Sequence, residues 1–436
     1  MSKFLKKISS YRYNYPLFII GILFFVFGFL TWVNGVLIPY FKICMQLNNF
    51  QATLVAFSAY LAYFIMAMPS ALVLEKIGYR KGMVLGLCIM SMGTLAFIPA
   101  AYLRYYPLFL GGLFLTGSGL ALVQTAANPY IAIMGPIEST AKRIGFMGIA
   151  NKIAGIFCLI LLGKVFLADA DGLMEAIKGL DDIGVSTTLD AYVLKIVDPY
   201  LIISVILVLV ALLVHYSKLP EIKETDDKMQ FIEGQDNHRK KLVDYPYLIM
   251  GVFALFVSGA CETIPIDGII IYSQSLDMPM DIARHFSTLT LFIMLFGYLF
   301  VSILVPKYIS QNKALLFASL WGIFATFVTF ITEGIISVYA LLSLGFSASM
   351  LWGTIWGLSL RGLGRHTKKA SAILIMSVIG GGIFPLFFGD LIDRYAHRPQ
   401  VAVLILIPCY AYILYFALKG YKIDSWRSIN KKTHLT

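Results

Sequence analysis

The sequence predicts an all-α membrane protein of twelve transmembrane helices, built as two similar six-helix halves. The 436-residue chain is 59% hydrophobic and only 14% charged, and its mean hydropathy is +0.79. Soluble domains carry about 25% charged residues. Twelve apolar runs are each long enough to cross roughly 30 Å of hydrocarbon, which takes about 20 helical residues. A match between the two halves of the chain adds evidence for an internal repeat.

The twelve apolar runs are separated by shorter polar segments. They fall near residues 16–42, 52–74, 82–101, 106–134, 143–167, 198–216, 247–274, 285–306, 313–332, 336–360, 369–391 and 400–420. The first run is too long for the apolar core of a secretory signal and has no small-residue cleavage site after it. We therefore expect it to remain as the first span. The acidic segment between the fifth and sixth runs, residues 168–197, is expected to form a short surface helix.

The distribution of lysine and arginine predicts the orientation and the domain boundaries. These residues are concentrated in the N-terminus, the loops after even-numbered runs and the C-terminus, so both termini are expected in the cytoplasm. The longest of these loops separates six runs from six. We therefore expect an N-terminal bundle over 1–216, a linker over 217–246 and a C-terminal bundle over 247–436. The net charge of +11 forms no continuous basic face, which argues against nucleic-acid binding.

A gap-free match between the halves indicates a parallel repeat. A shift of 227 residues aligns Thr140 with Thr367, Lys142 with Lys369, and the Gly-Ile-Phe triplet 155–157 with 382–384. The fifth and eleventh runs are therefore equivalents. Parallel repeats of this kind form a binding site at their interface near the middle of the bilayer. Two unequal halves favour a transporter that works by alternating access over a channel, which is built from rings of identical groups.

Two segments carry a family resemblance. The first run contains GFLTWVNGVLIPY (28–40) and the fourth contains QTAANPY (124–130). Both resemble signatures of the fucose:proton symporter and glucose/galactose transporter family of the major facilitator superfamily. The segment EKIGYRK (75–81) resembles the gating loop of that superfamily. The WVNGVLIP stretch and Asn151-Lys152 are most similar to the N-acetylglucosamine permease branch.

The resemblance implies a fold and a function. It implies the major facilitator fold, no cofactor, and a monomer among the lipids of the bacterial cytoplasmic (inner) membrane. The expected substrate is a neutral hexose or N-acetylhexosamine, imported with a proton or a sodium ion. In the fucose branch an Asp follows the Asn of the first motif and a Glu precedes Thr-Ala-Ala-Asn-Pro, whereas this chain has Gly35 and Gln124. Fucose is therefore less favoured as the substrate, and proton coupling does not carry over from that branch.

Six polar or aromatic side chains inside the runs are candidate substrate-binding residues. They are Asn34, Gln124, Asn128, Trp32, Trp352 and Trp356. Gln124 and Asn128 stand four residues apart on one helix face, and an amide offers donors and an acceptor to sugar hydroxyls. Tryptophan rings suit the apolar face of a pyranose. The alternatives are that the amides bond a neighbouring helix and that the tryptophans anchor the helices at the membrane interface.

Three ionisable residues inside the runs are candidate coupling residues: Lys152 of the fifth run and Glu262 and Asp267 of the seventh. Each charge costs about 2.5–3.5 kcal/mol at the bilayer centre on insertion scales, so such residues face protein or water. Glu262 and Asp267 lie about 140° apart on a straight helix, but Pro265 and Gly268 favour a broken helix. The alternatives are a structural ion pair and, for Asp267, an exposed helix end.

Other classes of function remain open or are disfavoured by the pattern. No catalytic constellation or metal-ligand spacing is visible, which argues against an integral-membrane enzyme. A facilitative sugar uniporter and a membrane sugar sensor without transport stay open, because the pattern does not report turnover. The pattern also leaves open whether the sugar is glucose, galactose, mannose or N-acetylglucosamine, and whether the ion is a proton or sodium.

Overall fold

The chain folds into the predicted helical membrane protein. The computed structural model describes the backbone of residues 2–133, 140–217, 219, 242–305, 308–361, 363 and 367–426, and the side chains of 16–127, 147–217, 219, 242–305, 308–361, 363 and 369–426. Within this part of the chain the regular structure is helical, with no strand. Twelve helical spans are long and apolar enough to cross a membrane. The predicted fold class and span number are confirmed.

The first six spans contain ten α-helices. They are α1 (Ser2–Trp32), α2 (Asn34–Cys44), α3 (Asn49–Ile77), α4 (Tyr79–Leu95), α5 (Phe97–Tyr102), α6 (Tyr106–Ile133), α7 (Thr140–Leu167), α8 (Ala170–Ile177), α9 (Asp182–Val193) and α10 (Val197–Tyr216). The first span consists of α1 and α2, which meet at Val33. Pro39 in α2 has no N–H to offer to the preceding turn, which weakens the helix there. The predicted surface helix is present as two helices, α8 and α9.

The last six spans follow the same plan. Their α-helices are α11 (Pro246–Thr263), α12 (Ile269–Gln274), α13 (Met280–Ala283), α14 (Phe286–Leu304), α15 (Gln311–Ile331), α16 (Gly334–Leu360), α17 (Thr367–Met376), α18 (Gly380–Arg394) and α19 (Leu406–Leu418). A π-helical turn, Ile264–Gly268, joins α11 to α12 within the seventh span. The predicted linker, 217–246, lies mostly outside the described residues, so the division into two domains stays a prediction.

Two pairs of spans hold the halves together. The second span packs on the eleventh and the fifth on the eighth. Glycines permit the first of these contacts: a Cβ at Gly382 would lie 2.9 Å from Cα of Phe57, and one at Gly389 would lie 2.8 Å from the backbone oxygen of Asn49. Small residues allow helix backbones to approach closely inside a membrane. The two halves therefore meet along closely packed helices.

The two faces of the bundle differ in their contacts. Because the number of described spans is even, the first span begins and the twelfth span ends at the same face. We name this face the terminal face and the opposite one the far face. At the far face α2 packs against the π-helical turn and α12. Within the described residues, α1 is not closely packed against α11, nor α6 against α16. The first and seventh spans thus meet at their far ends.

Two carboxylates tie the halves together at the far face. Asp393, at the end of α18, accepts hydrogen bonds from the backbone N–H of Phe50 at 3.0 Å and from the Asn49 side chain at 2.6 Å, at the start of α3. Asp171 of α8 accepts the backbone N–H groups of Met280 and Asp281 at the start of α13, both at 2.9 Å. The first turn of a helix has unpaired N–H groups that favour a negative partner. We name these two contacts the far-face latches.

We expect Asp393→Ala to weaken closure of the far face. Losing a side chain that caps a helix start costs about 0.5–2 kcal/mol, and one to two kcal/mol changes a two-state ratio by a factor of about 5–30. Distances between spin labels placed on the far ends of the second and eleventh spans should therefore shift toward longer values.

The matched control is Asp190→Ala. Asp190 pairs with Arg104 at 3.1 Å at the same face but inside the N-terminal half, so its loss should leave the label distances unchanged. Equal distance distributions in wild type and Asp393→Ala would show that the latch does not hold the face closed.

Candidate functional site

An ion pair joins the two halves in the interior of the bundle. The Nζ atom of Lys152 on α7 lies 3.0 Å from Oε1 of Glu262 on α11. The lysine side chain is 4% exposed and the glutamate side chain 24% exposed. A charge left unpaired inside the membrane is unfavourable, and the pair supplies each residue with an opposite charge. The structure thus brings together two of the three predicted coupling residues, from different halves.

Trp32 completes the environment of the lysine. The Lys152 ammonium lies 3.7 Å from the centre of the Trp32 ring, a cation–π contact. The indole N–H donates to Oδ1 of Asn151 at 3.1 Å. Gly155 makes room for the ring, because a Cβ there would lie 2.4 Å from the Trp32 Cδ1 atom. Trp32 is buried, and in this conformation one of its ring faces is covered by the ammonium rather than open to a ligand.

The seventh span is broken at the predicted place. The π-helical turn Ile264–Gly268 contains Pro265 and Asp267. Hydroxyl groups of the eighth span satisfy backbone oxygens of this turn: Thr290 donates to the carbonyl of Pro265 at 3.0 Å, and Ser287 donates to that of Ile266 at 2.6 Å. Irregular backbone at membrane depth is tolerated where neighbouring groups take up its hydrogen bonds. π-helical turns occur frequently at functional sites.

Asp267 is the most deeply buried acid of the site. It has no exposed surface, and neither carboxylate oxygen has a hydrogen-bond partner among the described residues. Lys152 and Glu262 lie within electrostatic range of it. The alternative of an exposed helix end is therefore wrong for Asp267, because the far end of the span continues as α12 beyond it.

The polar residues of the first and fourth spans lie inside the N-terminal half. Gln124 donates to the hydroxyl of Tyr63 at 3.0 Å. Asn34 is buried, and its Oδ1 has no hydrogen-bond partner among the described residues. Asn34, Thr31 and Tyr63 line a cavity of ≈ 30 Å³. Ligand pockets measure about 300–1,000 Å³, so this cavity holds no sugar in the present conformation. The Asn128 side chain lies outside the described residues.

The two tryptophans of the tenth span form a pair. The rings of Trp352 and Trp356 stack with their centres 5.5 Å apart, as their four-residue spacing on one helix face predicts. Trp352 is 37% exposed and Trp356 is partly buried. Both residues are thus more exposed than Trp32. Sugar contact by either residue stays a prediction.

Sequence reasoning missed several partners of the site. Tyr63 accepts from Gln124, Asn151 orients Trp32, and the ring of Tyr298 lies 5.5 Å from the Lys152 ammonium. Each of these residues is a polar side chain within an apolar run, and the sequence gives no stronger indication of its role. Many other residues share this pattern, and only the packing of the helices shows which of them contact the site. Within the side chains that the structure describes, no group of three His, Cys, Asp or Glu could hold a metal ion.

Comparison with known proteins decides the family. The model of the Major Facilitator Superfamily matches residues 20–385. The chain belongs to the major facilitator superfamily. Its family and relatives are transporters rather than enzymes, so the integral-membrane enzyme is set aside. The predicted fold family is confirmed.

The similar proteins span almost the whole chain. The glucose/galactose transporter of Brucella abortus biovar 1 (strain 9-941) is 31% identical over 95% of this chain and 96% of its own length. The L-fucose-proton symporter of Escherichia coli (strain K12) is 28% identical over 94% of each. The crystal structure of the transporter FucP in the outward conformation has 27% identity and a TM-score of 0.71, covering 93% of this chain and 98% of that one.

We expect the Lys152 and Glu262 variants to be coupled in stability. Removing one partner of a buried pair costs about 3–5 kcal/mol; we expect about 3 kcal/mol because Glu262 keeps 24% of its surface exposed. Lys152→Met and Glu262→Gln should each lower the unfolding temperature in detergent, and the double variant should recover much of the loss.

The exposed pair of Lys195 and Asp169, with side chains 35% and 77% exposed, is the control. Lys195→Met and Asp169→Asn should each change the free energy of unfolding by less than about 1 kcal/mol, because exposed ion pairs contribute little. Strictly additive losses in the Lys152 and Glu262 variants would show that the two residues do not stabilise each other.

Proposed function

We propose that this protein imports a neutral hexose or N-acetylhexosamine across the bacterial cytoplasmic membrane, driven by a co-transported cation. The terminal face is cytoplasmic, in keeping with its excess of lysine and arginine. The sugar class is supported by relatives named as a glucose/galactose transporter and an L-fucose-proton symporter. The observation that carries the cation coupling is the Lys152–Glu262 ion pair between the halves.

The sugar binds between the halves, with the fourth span providing a central hydrogen-bonding group. A glutamine amide has two N–H donors and one acceptor oxygen, and the bond from Gln124 to Tyr63 uses a single N–H. The amide held by Tyr63 is therefore oriented for sugar hydroxyls. Asn34, Asn128 and Trp32 are further contacts from the same half. Trp352 and Trp356 offer stacking surface from the other half.

The ion pair makes coupling physically reasonable. A coupling device needs a charge whose partner changes between the outward-open and inward-open states. Because Lys152 and Glu262 belong to different halves, relative motion of the halves stretches or breaks their bond. A separated Glu262 then needs a cation or a proton, since an unpaired buried charge is unfavourable. Binding of the cation and separation of the pair are thereby linked.

The direct test is uptake into proteoliposomes. Counterflow with labelled glucose, galactose, mannose, N-acetylglucosamine and fucose identifies the substrate, and imposed proton or sodium gradients identify the ion. Accumulation above the external concentration is expected with one of the two ions. Equilibration without accumulation would show a uniporter, and binding without flux would show a sensor; both would overturn the proposed symport.

We expect Gln124→Ala to raise the dissociation constant for the sugar at least about tenfold. The change removes two net hydrogen bonds of about 0.5–1.5 kcal/mol each, and 1.4 kcal/mol corresponds to a factor of ten. Tyr63→Phe should have a smaller effect in the same direction, because it keeps the Gln124 amide and removes only the hydroxyl group that holds it in place. Binding is measured by isothermal titration with the sugar identified by counterflow.

Thr125→Val provides the control, since the Thr125 hydroxyl is bonded to the backbone of its own helix at Ala121. Wild-type affinity in Gln124→Ala would move the sugar site away from the fourth span.

We expect Lys152→Ala and Glu262→Gln to separate exchange from accumulation. Exchange of labelled for unlabelled sugar needs only the sugar site, whereas accumulation also needs the ion step. Both variants should therefore retain counterflow and lose concentrative uptake in the same vesicles. Undiminished accumulation in both would show that the pair does not carry the coupling.

A further inference from the structure

Asp267 presents an electrostatic problem that the ion pair does not solve. It is fully buried, and neither of its carboxylate oxygens has a hydrogen-bond partner among the described residues. Burying an isolated ionised carboxylate is so unfavourable that such a group takes up a proton instead. Lys152 is already bound to Glu262 at 3.0 Å and packed on Trp32. The positive charge that acts on Asp267 among the described residues is thus engaged by another carboxylate.

The charges around Asp267 identify what neutralises it. Among the described residues, the ionisable groups that act on it are Lys152 from the fifth span, Glu262 from its own span and Tyr60 from the second. With both acids ionised and a neutral tyrosine, the cluster carries one net negative charge inside the membrane. One bound proton on Asp267 brings that charge to zero.

We propose that Asp267 is the proton-binding residue of the transporter, and that it is protonated when the far face is closed. In this assignment Glu262 serves as the partner of Lys152, and Asp267 takes up a proton from the far side and releases it to the terminal side before the empty transporter reopens. The assignment rests on the cation coupling proposed above, and it specifies both the ion and the residue that binds it.

The position of Asp267 between the halves gives the proton a route of entry. Asp267 lies seven residues before the end of its span at Gln274, which is about 10 Å at 1.5 Å per residue. Its π-helical turn packs against α2 of the other half, where a Cβ on Gly35 would lie 3.5 Å from the backbone oxygen of Ile266. Separation of the halves at the far face opens this contact. Water then reaches the carboxyl group from the far side.

The surroundings favour a proton over sodium. A sodium ion needs several oxygen ligands around it, whereas the carboxylate oxygens have no hydrogen-bonding neighbour among the described residues. Ile264, Ile266 and Ile269 flank Asp267 along the chain and are fully buried. The Phe388 ring covers the next residue, since a Cβ on Gly268 would lie 3.0 Å from it. These apolar neighbours, and the lack of a hydrogen-bonding partner among the described residues, suit a neutral carboxyl group better than a bound ion.

The transport test compares Asp267→Asn with Asp277→Asn in proteoliposomes. Asn has nearly the shape of the protonated acid, but its amide does not gain and lose a proton as a carboxyl group does. We expect Asp267→Asn to lose sugar-evoked acidification of the vesicle interior, and its accumulation ratio under a proton gradient to fall to one while counterflow persists. Asp277, exposed on the loop after the same span with a φ of 59°, tolerates Asn well, and its variant should couple as wild type does.

An infrared measurement tests protonation without relying on transport. Purified wild-type protein at neutral pH should show the absorption band of a protonated carboxyl group. The band should be missing from Asp267→Asn and present in Asp277→Asn, with thermal unfolding used to confirm that each variant is folded.

The outcomes distinguish this assignment from the broader proposal. A wild-type protein that accumulates no sugar with either ion overturns cation coupling, and with it the transport role of Asp267. A coupled wild type whose Asp267→Asn variant still moves protons overturns the assignment alone. Accumulation driven only by sodium, or a carboxyl band unchanged in Asp267→Asn, also overturns it.

Discussion

The ion pair between Lys152 and Glu262 links the chemistry of the site to the arrangement of the halves. Because neither charge is stable alone inside the bilayer, the pair favours states in which the fifth and seventh spans stay close. Trp32 extends this constraint to the first span through its contact with the ammonium. Three spans from both halves therefore meet at one charged centre.

The closure of the far face is symmetric, whereas the charged centre is not. One far-face latch joins Asp171, at the far end of the fifth span, to the start of the eighth span. The other joins Asp393, at the end of the eleventh span, to the start of the second. Exchange of the two halves converts one latch into the other. By contrast, the residue equivalent to Lys152 in the second half of the sequence is the uncharged Ile379. The two latches thus follow the repeat of the sequence, whereas the ion pair departs from it.

The irregular turn of the seventh span is stable because another span provides its hydrogen bonds. Pro265 cannot donate to the helix, and Ser287 and Thr290 bond the carbonyls of the turn from the eighth span. This arrangement sets Asp267 at the contact between the halves without leaving the backbone unsatisfied. The irregular turn and the buried Asp267 thus lie in one segment, whose backbone hydrogen bonds are provided by the eighth span.

Apolar run length fixed the number of spans in advance, because a bilayer demands about 20 apolar residues per helix whatever the neighbours. Isolated charges in these runs likewise singled out Lys152, Glu262 and Asp267. The partner of each charge depends on the distances between helices. These distances are set by packing contacts of residues that lie far from the charges in the sequence. The pairing of Lys152 with Glu262, the burial of Asp267 and the bond from Gln124 to Tyr63 were therefore decided only by the tertiary structure.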